Sequence, residues 1–182
     1  IVRAGTEDKA MVVLVYKTPG SDVDQKTIDG LDILAEAFSR ALRERIREGE
    51  GGTYDPSVVA VTSVERGQSA IVATFGADPA RMDELLAAAK EEAARLAADG
   101  VPERRLSEIV LASKKDLESA SGENAYWASA LAEALMYGYP LATFEGAIER
   151  LDSYTIEWTR AAALRYLDAE NLAVFMLLPA DK

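Results

Sequence analysis

Ile28, Leu31, Leu34, Ala35, Phe38, Leu42 and Ile46 recur at intervals of three and four, the repeat of one α-helical stripe. The stripe commits the chain from about Asp24 onward to a long amphipathic helix whose apolar side needs a partner surface. Ser21 or Asp24 is placed to cap its first turn. The cluster "GEGG" at Gly49 to Gly52 is expected to end it, because glycine accepts the left-handed backbone found at helix exits.

β-rich runs lie on both sides of this helix. "AMVVLVY" (Ala10–Tyr16) is short, apolar and β-branched, and reads as a strand buried on both faces or nearly so. After the glycines, "TYDPSVVAVTSV" and "SAIVATFG" flank Glu65–Gln68 and read as a hairpin. Pro56 donates no ladder hydrogen bond, so the first hairpin strand is expected to start at an edge or a bulge. Asp78-Pro79 marks a helix start with the stripe Met82, Leu85, Leu86, Ala89, Ala93 and Leu96, ended by Gly100. A further helix carries Leu106, Ile109, Val110 and Leu117 and ends near Ser121-Gly122. Asn124 to Tyr166 reads as two or three shorter helices, and "LAVFMLLP" (Leu172–Pro179) as a final buried strand. This order predicts an α+β fold, a largely antiparallel sheet with helices packed on one face, with residues 1–182 forming a single domain. The start at Ile1 suggests a piece excised from a longer multidomain chain.

Composition removes several kinds of chemistry. The chain has no histidine and no cysteine, which excludes imidazole bases, thiolate nucleophiles, disulfides and the usual nitrogen or sulfur ligands of zinc. The net charge of −11 repels nucleic-acid backbones and anionic membrane surfaces. No run is apolar enough for a membrane span. Glu7/Asp8, Asp22/Asp24 and Glu91/Glu92 are carboxylate pairs, but none stands in a calcium-loop pattern, and they read as solvated surface. The expectation is that this chain holds no metal or cofactor of its own.

The glycines do not form a phosphate cradle, since such loops follow a strand and open a helix and here the order is reversed. Arg40, Arg43 and Arg47 share one helix face. Taken alone they read as cations complementing the helix C-terminus, and Tyr54 as an amphipathic strand residue. Asn124, Tyr126 and Trp127 read as the start and packing of a helix, with an aromatic ligand surface as the alternative; Tyr137 and Tyr139 read as a packed corner.

"RIREGEGGTYDPSVVAVTS" (Arg45–Ser63) resembles the arginine-to-tyrosine segment in C-terminal-type domains of the pitrilysin/insulinase family of zinc metallopeptidases. There a helix ends in Arg-Glu, a glycine turn follows, and a tyrosine seven residues after the arginine opens a strand; here the pair is Arg47 and Tyr54. "SAIVATFGADPARMDELLAAAKEEAARLAADGVPERRL" and "ENAYWASAL" are similar to later segments of the family, and the element order from Ala10 to Pro179 matches. The wording is most similar to the large bacterial periplasmic-type members, which implies a periplasmic parent protein.

The resemblance implies the non-zinc-binding partner domain. Zinc would sit in a companion domain carrying H-x-x-E-H, a motif that this chain lacks. The partners implied are that companion domain, in the same or another chain, and a peptide substrate. Arg47 would hold a substrate backbone carbonyl, and the Tyr54 hydroxyl would support the carbonyl oxygen as it gains negative charge. "GEGGT", with Pro56 two residues after the tyrosine, departs from the commoner family wording. The departure implies the alternative of a non-catalytic structural or interaction domain of the same fold.

Overall fold

The computed structural model describes residues 1–5, 9–18, 23–47 and 56–180, with the Arg47 side chain excepted. The elements are β1 (Val2–Arg3), β2 (Ala10–Thr18), α1 (Gln25–Arg47), β3 (Ser57–Ser63), β4 (Gln68–Ala77), α2 (Met82–Asp99), α3 (Glu103–Ser121), α4 (Asn124–Tyr137), the single-turn α5 (Ala142–Glu145) and α6 (Ala147–Arg150), α7 (Ile156–Tyr166) and β5 (Leu172–Leu178). The strands form one sheet in the order β1-β5-β2-β4-β3. Every pairing is antiparallel except the two-residue β1 against β5. The fold is α+β, with the hairpin and helix order read from the sequence; β1 is too short to leave a periodic signal.

The register decides which side of the sheet is buried. Val12, Leu14 and Tyr16 of β2 lie opposite Phe75, Ala73 and Ile71 of β4, and all six are 2 % exposed or less. α1, α2 and α7 pack on this face, with the Tyr16 ring edge-on to Phe38 of α1 at 6.4 Å. α1 is buried beyond its predicted stripe, since Ile33, Ala37 and Ala41 are also buried. The helix is enclosed by the sheet on one side and by α2, α3 and α7 on others.

The opposite face corrects the expectation of doubly buried strands. In β2, Met11 is 46 % exposed, and in β5 Phe175 and Leu177 are 58 % and 41 % exposed. Their partners across the ladder, Met11 with Leu177 and Val13 with Phe175, share one apolar surface. Among the described residues no helix covers it. The strands are apolar on both sides, but the described helices cover only one.

Local chemistry sets the helix ends. The Asp24 carboxylate accepts the Thr27 N–H at 2.8 Å and caps α1; Ser21 and the Gly49–Gly52 cluster lie outside the described residues. Asp78 accepts from the Ala80 N–H at 2.8 Å, and Pro79–Arg81 forms a tight turn leading into α2. The buried residues of α2 are the six of the predicted stripe.

Candidate functional site

α1 ends at Arg47, with Ile46, 1 % exposed, anchoring its last turn in the core. Pro56 is buried, and Ser57 then opens β3, the outer strand of the sheet. The segment from Arg47 to Tyr54 therefore joins two fixed points, the last turn of a core helix and the start of an edge strand. The Arg47 side chain and the whole of Tyr54 lie outside the described residues. Among the described residues β3 pairs only with β4, leaving the outer backbone groups of β3 able to accept an extended chain. Val59 and Val61 of β3, 49 % and 53 % exposed, extend the apolar sheet face to this edge.

Two arginines of the α1 row are held by their own helix. Arg40 donates from Nε to Glu36 Oε1 at 2.7 Å, and Arg43 donates to Ser39 Oγ at 3.4 Å. Arg45 bonds to Glu91 at 2.9 Å, and Glu92 receives Arg95 at 2.7 Å. Glu91 is a solvated partner, as expected from the sequence, and its pair contributes little, whereas the Glu92 side chain is largely covered, at 12 % exposed. Glu7, Asp8 and Asp22 lie outside the described residues. Among the described residues no three potential ligands gather to hold a metal ion.

Tyr126 and Trp127 pack on each other at the start of α4, and Tyr126 also lines a pocket among the helices. Their rings stand edge to face at 5.1 Å, and Trp127 Nε1 donates to the Ser121 carbonyl at 2.8 Å. Asn124 is the first helical residue and Glu123 holds the cap position. Tyr137 and Tyr139 meet at 5.8 Å around Gly138, whose φ of +71° makes the corner.

The sequence analysis missed a second constellation. α1, α3, α4, α5 and α6 enclose an open pocket of about 510 Å³. In its wall Arg150 donates from Nε to Asp29 Oδ2 at 2.7 Å and from Nη1 to the Thr143 carbonyl at 2.7 Å. Gln25 Nε2 donates to the other Asp29 oxygen at 2.9 Å. Partners 121 positions apart leave no local pattern to read. Asp29 and Asp32 fall at i and i+3 on the polar side of the stripe, where a solvated reading is the default.

Asp32 has an unusual environment. Burial of its carboxyl, then the Asp29 charge, pushes its pKa from 3.8 up to about 6, although the residue as a whole stays exposed and water screens part of the effect. A raised carboxyl pKa means that the fold takes up this proton before the unfolded chain does. The contribution of Asp32 to stability therefore improves as pH falls from about 6 toward 3.8. Asp32→Asn is expected to stabilise the chain at pH 7 by less than about 1 kcal/mol and to change nothing at pH 3.5. Urea titrations at the two pH values check this; equal shifts at both would refute it.

A family model described as the peptidase M16 inactive domain matches residues 1–112. The periplasmic protease PqqL from Escherichia coli superposes with a TM-score of 0.85 at 25 % identity, over 98 % of this chain and 20 % of that chain. A peptidase M16 inactive domain from Pseudomonas fluorescens gives 0.80 at 17 % identity, over 98 % and 43 %. The inactive peptidase domain of a candidate zinc protease from Bordetella parapertussis gives 0.69 at 18 % identity, over 100 % and 96 %. This chain thus spans about a fifth of the length of PqqL. Comparison with curated proteins gives no match.

Proposed function

This chain belongs to the peptidase M16 inactive-domain family, and from that premise we propose that it is the metal-free partner domain of a zinc metalloendopeptidase, binding peptide and completing an active site across a cleft from a zinc-bearing domain. The observation that carries the reading is that core helix α1 ends at Arg47 and the chain resumes as β3, which pairs only with β4 among the described residues. An extended peptide added along β3 would run past Ser57, which follows the Arg47–Tyr54 segment in the chain. Its backbone groups would pair with the strand edge, and its side chains would rest on the apolar face of Val59 and Val61. This chain has no histidine or cysteine and no gathered carboxylates among its described residues, so its residues do not fit a zinc site. Zinc and the water it activates belong, on this reading, to the companion domain. Arg47 and Tyr54 contribute donors: a guanidinium that fixes a peptide carbonyl, and a phenol aimed at the oxygen that gains charge. Such donors are effective in a closed, water-poor site.

Tyr54→Phe and Arg47→Ala in the full-length parent protein are each expected to lower kcat/KM for a fluorogenic peptide at least about tenfold, with the urea midpoint unchanged. Unaltered kinetics in both would overturn the assignment of these residues. The 182-residue chain alone is expected to bind no stoichiometric zinc and to cleave no peptide; zinc-dependent turnover by it would overturn the partner-domain reading. The apolar open sheet face also favours a second reading, a structural or interaction domain of the same fold. In that case the parent protein would lack peptidase activity while still requiring this domain for assembly.

A further inference from the structure

The pocket among α1, α3, α4, α5 and α6 lies in the helical layer, apart from the open sheet face and the β3 edge. Its volume of about 510 Å³ is in the range of small-ligand sites. Ile33, Leu117, Phe144 and Leu151 make its apolar lining, with Ile33 only 2 % exposed. The polar lining carries four carboxylates and one cation, with the hydroxyls of Ser113, Ser129 and Tyr126 beside them. Asp29 and Asp32 come from α1, Asp116 from α3 and Glu133 from α4, against the single guanidinium of Arg150 from α6.

Arg150 does not neutralise this group as a whole. Its Nε is committed to Asp29 and its Nη1 to the Thr143 carbonyl. Asp29 is already satisfied at both oxygens, by Gln25 and by Arg150. Among the described residues no ion pair holds Asp32, Asp116 or Glu133. Gln25 also lines the pocket, but its Oε1 is shielded from the open space and its Nε2 is committed to Asp29. An apolar lining bounded by exposed carboxylates suits a donor-only cation on an aliphatic stem.

We propose that this pocket docks a basic side chain, lysine or arginine, carried on a polypeptide: the cation sits among Asp32, Asp116 and Glu133, and its methylene stem lies on Ile33, Leu117 and Phe144. A polypeptide is the occupant because the pocket is open and larger than one alkylammonium group fills. The net charge of −11 draws a basic segment toward the surface before contact. The site is independent of the peptide-binding reading of the β3 edge.

The test is a titration of the ¹⁵N-labelled chain with three probes: a capped pentapeptide, alanine except for a central lysine, its norleucine analogue, and n-butylammonium. Saturable amide shifts are expected with the lysine peptide at Asp32, Leu117, Ser129 and Glu133. The norleucine peptide is expected to bind at least about tenfold more weakly, and raising the salt from about 50 to 500 mM to weaken the lysine peptide severalfold. Asp32→Asn with Asp116→Asn, neither of them bonded to the Asp29–Arg150 pair that holds α6, should weaken the lysine peptide about tenfold while the remaining spectrum is preserved. Affinity should also fall as pH drops through about 6, where Asp32 takes up its proton. No saturable shift at these residues, or equal binding of the norleucine peptide, overturns the proposal. Butylammonium binding as tightly as the lysine peptide overturns the polypeptide occupant. None of these outcomes depends on Arg47 or Tyr54, so this proposal and the peptidase reading fail separately.

Discussion

Gly30→Ala is expected to destabilise the chain by about 3 kcal/mol or more, even though Gly30 lies inside α1. In an exposed helix the same change would stabilise by about 1 kcal/mol, because alanine loses less backbone freedom on folding. Here the geometry reverses the sign. A Cβ at Gly30 would meet the Trp158 ring of α7 at 2.0 Å, with two further ring atoms at 2.5 and 2.7 Å. Trp158 is part-buried, and on its Tyr154 side the ring has little room to retreat. It stands edge to face with Tyr154 at 4.8 Å, and Tyr154, 5 % exposed, donates its hydroxyl hydrogen to the Lys26 carbonyl at 2.6 Å. Urea unfolding checks the expectation, and a variant as stable as the parent would refute the packing argument. Trp158→Leu combined with Gly30→Ala should recover part of the loss, since the two sites share one contact.

Gly100→Ala is expected to cost about 3 kcal/mol, from two sources. Gly100 has φ +77° and ψ −173°, a region that side-chain-bearing residues enter only at about 1–3 kcal/mol. In addition, its Cβ would lie 2.7 Å from the Ile156 carbonyl oxygen and 3.2 Å from Thr159 Oγ1. Those two atoms already bond to each other: Thr159 donates to the Ile156 carbonyl at 2.8 Å. Thr159 also accepts the Val101 N–H at 3.0 Å, and Thr159 is fully buried. Moving the carbonyl aside therefore disturbs the hydroxyl that ties the end of α2 to the start of α7. Thr159→Val, which leaves the Val101 N–H unpaired in the interior, should cost about 1–3 kcal/mol. The order expected in thermal unfolding is Gly100→Ala below Thr159→Val below the parent. An unchanged Tm for Gly100→Ala would refute it.

These two glycines show where sequence reading stops. Gly100 was legible as a helix end, because a glycine after the stripe Met82 to Leu96 is the usual exit. Its close approach to Ile156 was not. Gly30 interrupts no stripe and gave no signal, since its partner Trp158 is remote in sequence and belongs to another helix. The Asp29–Arg150 pair escaped for the same reason. A polar residue on the outer side of a helix looks alike whether it faces water or a pocket built by a distant segment.

The candidate site divides in the same way. The family was legible from the order Arg47, glycine turn, Tyr54 and hairpin, and the sequence offers no histidine or cysteine to hold zinc. The structure then placed β3 at an edge, one of the two alternatives that Pro56 offered, and added the open apolar face beside it. The burial expected for β2 and β5 failed on that face because an unbroken apolar run reports that both sides avoid water, not that this chain covers both.

The sequence by itself determined the α+β order, the long helix with Ser21 or Asp24 at its cap, the hairpin, the α2 stripe and the lack of histidine and cysteine. Each follows from residue identity and from periods of two or 3.6 acting over neighbouring positions. Only the tertiary structure decided which sheet face is open, that β3 lies at an edge and not merely at a bulge, that Gly30 must stay bare for Trp158, and that Asp29 and Asp32 look into a pocket. Those features depend on distances between segments far apart in the chain, and local periodicity carries no information about which segment arrives.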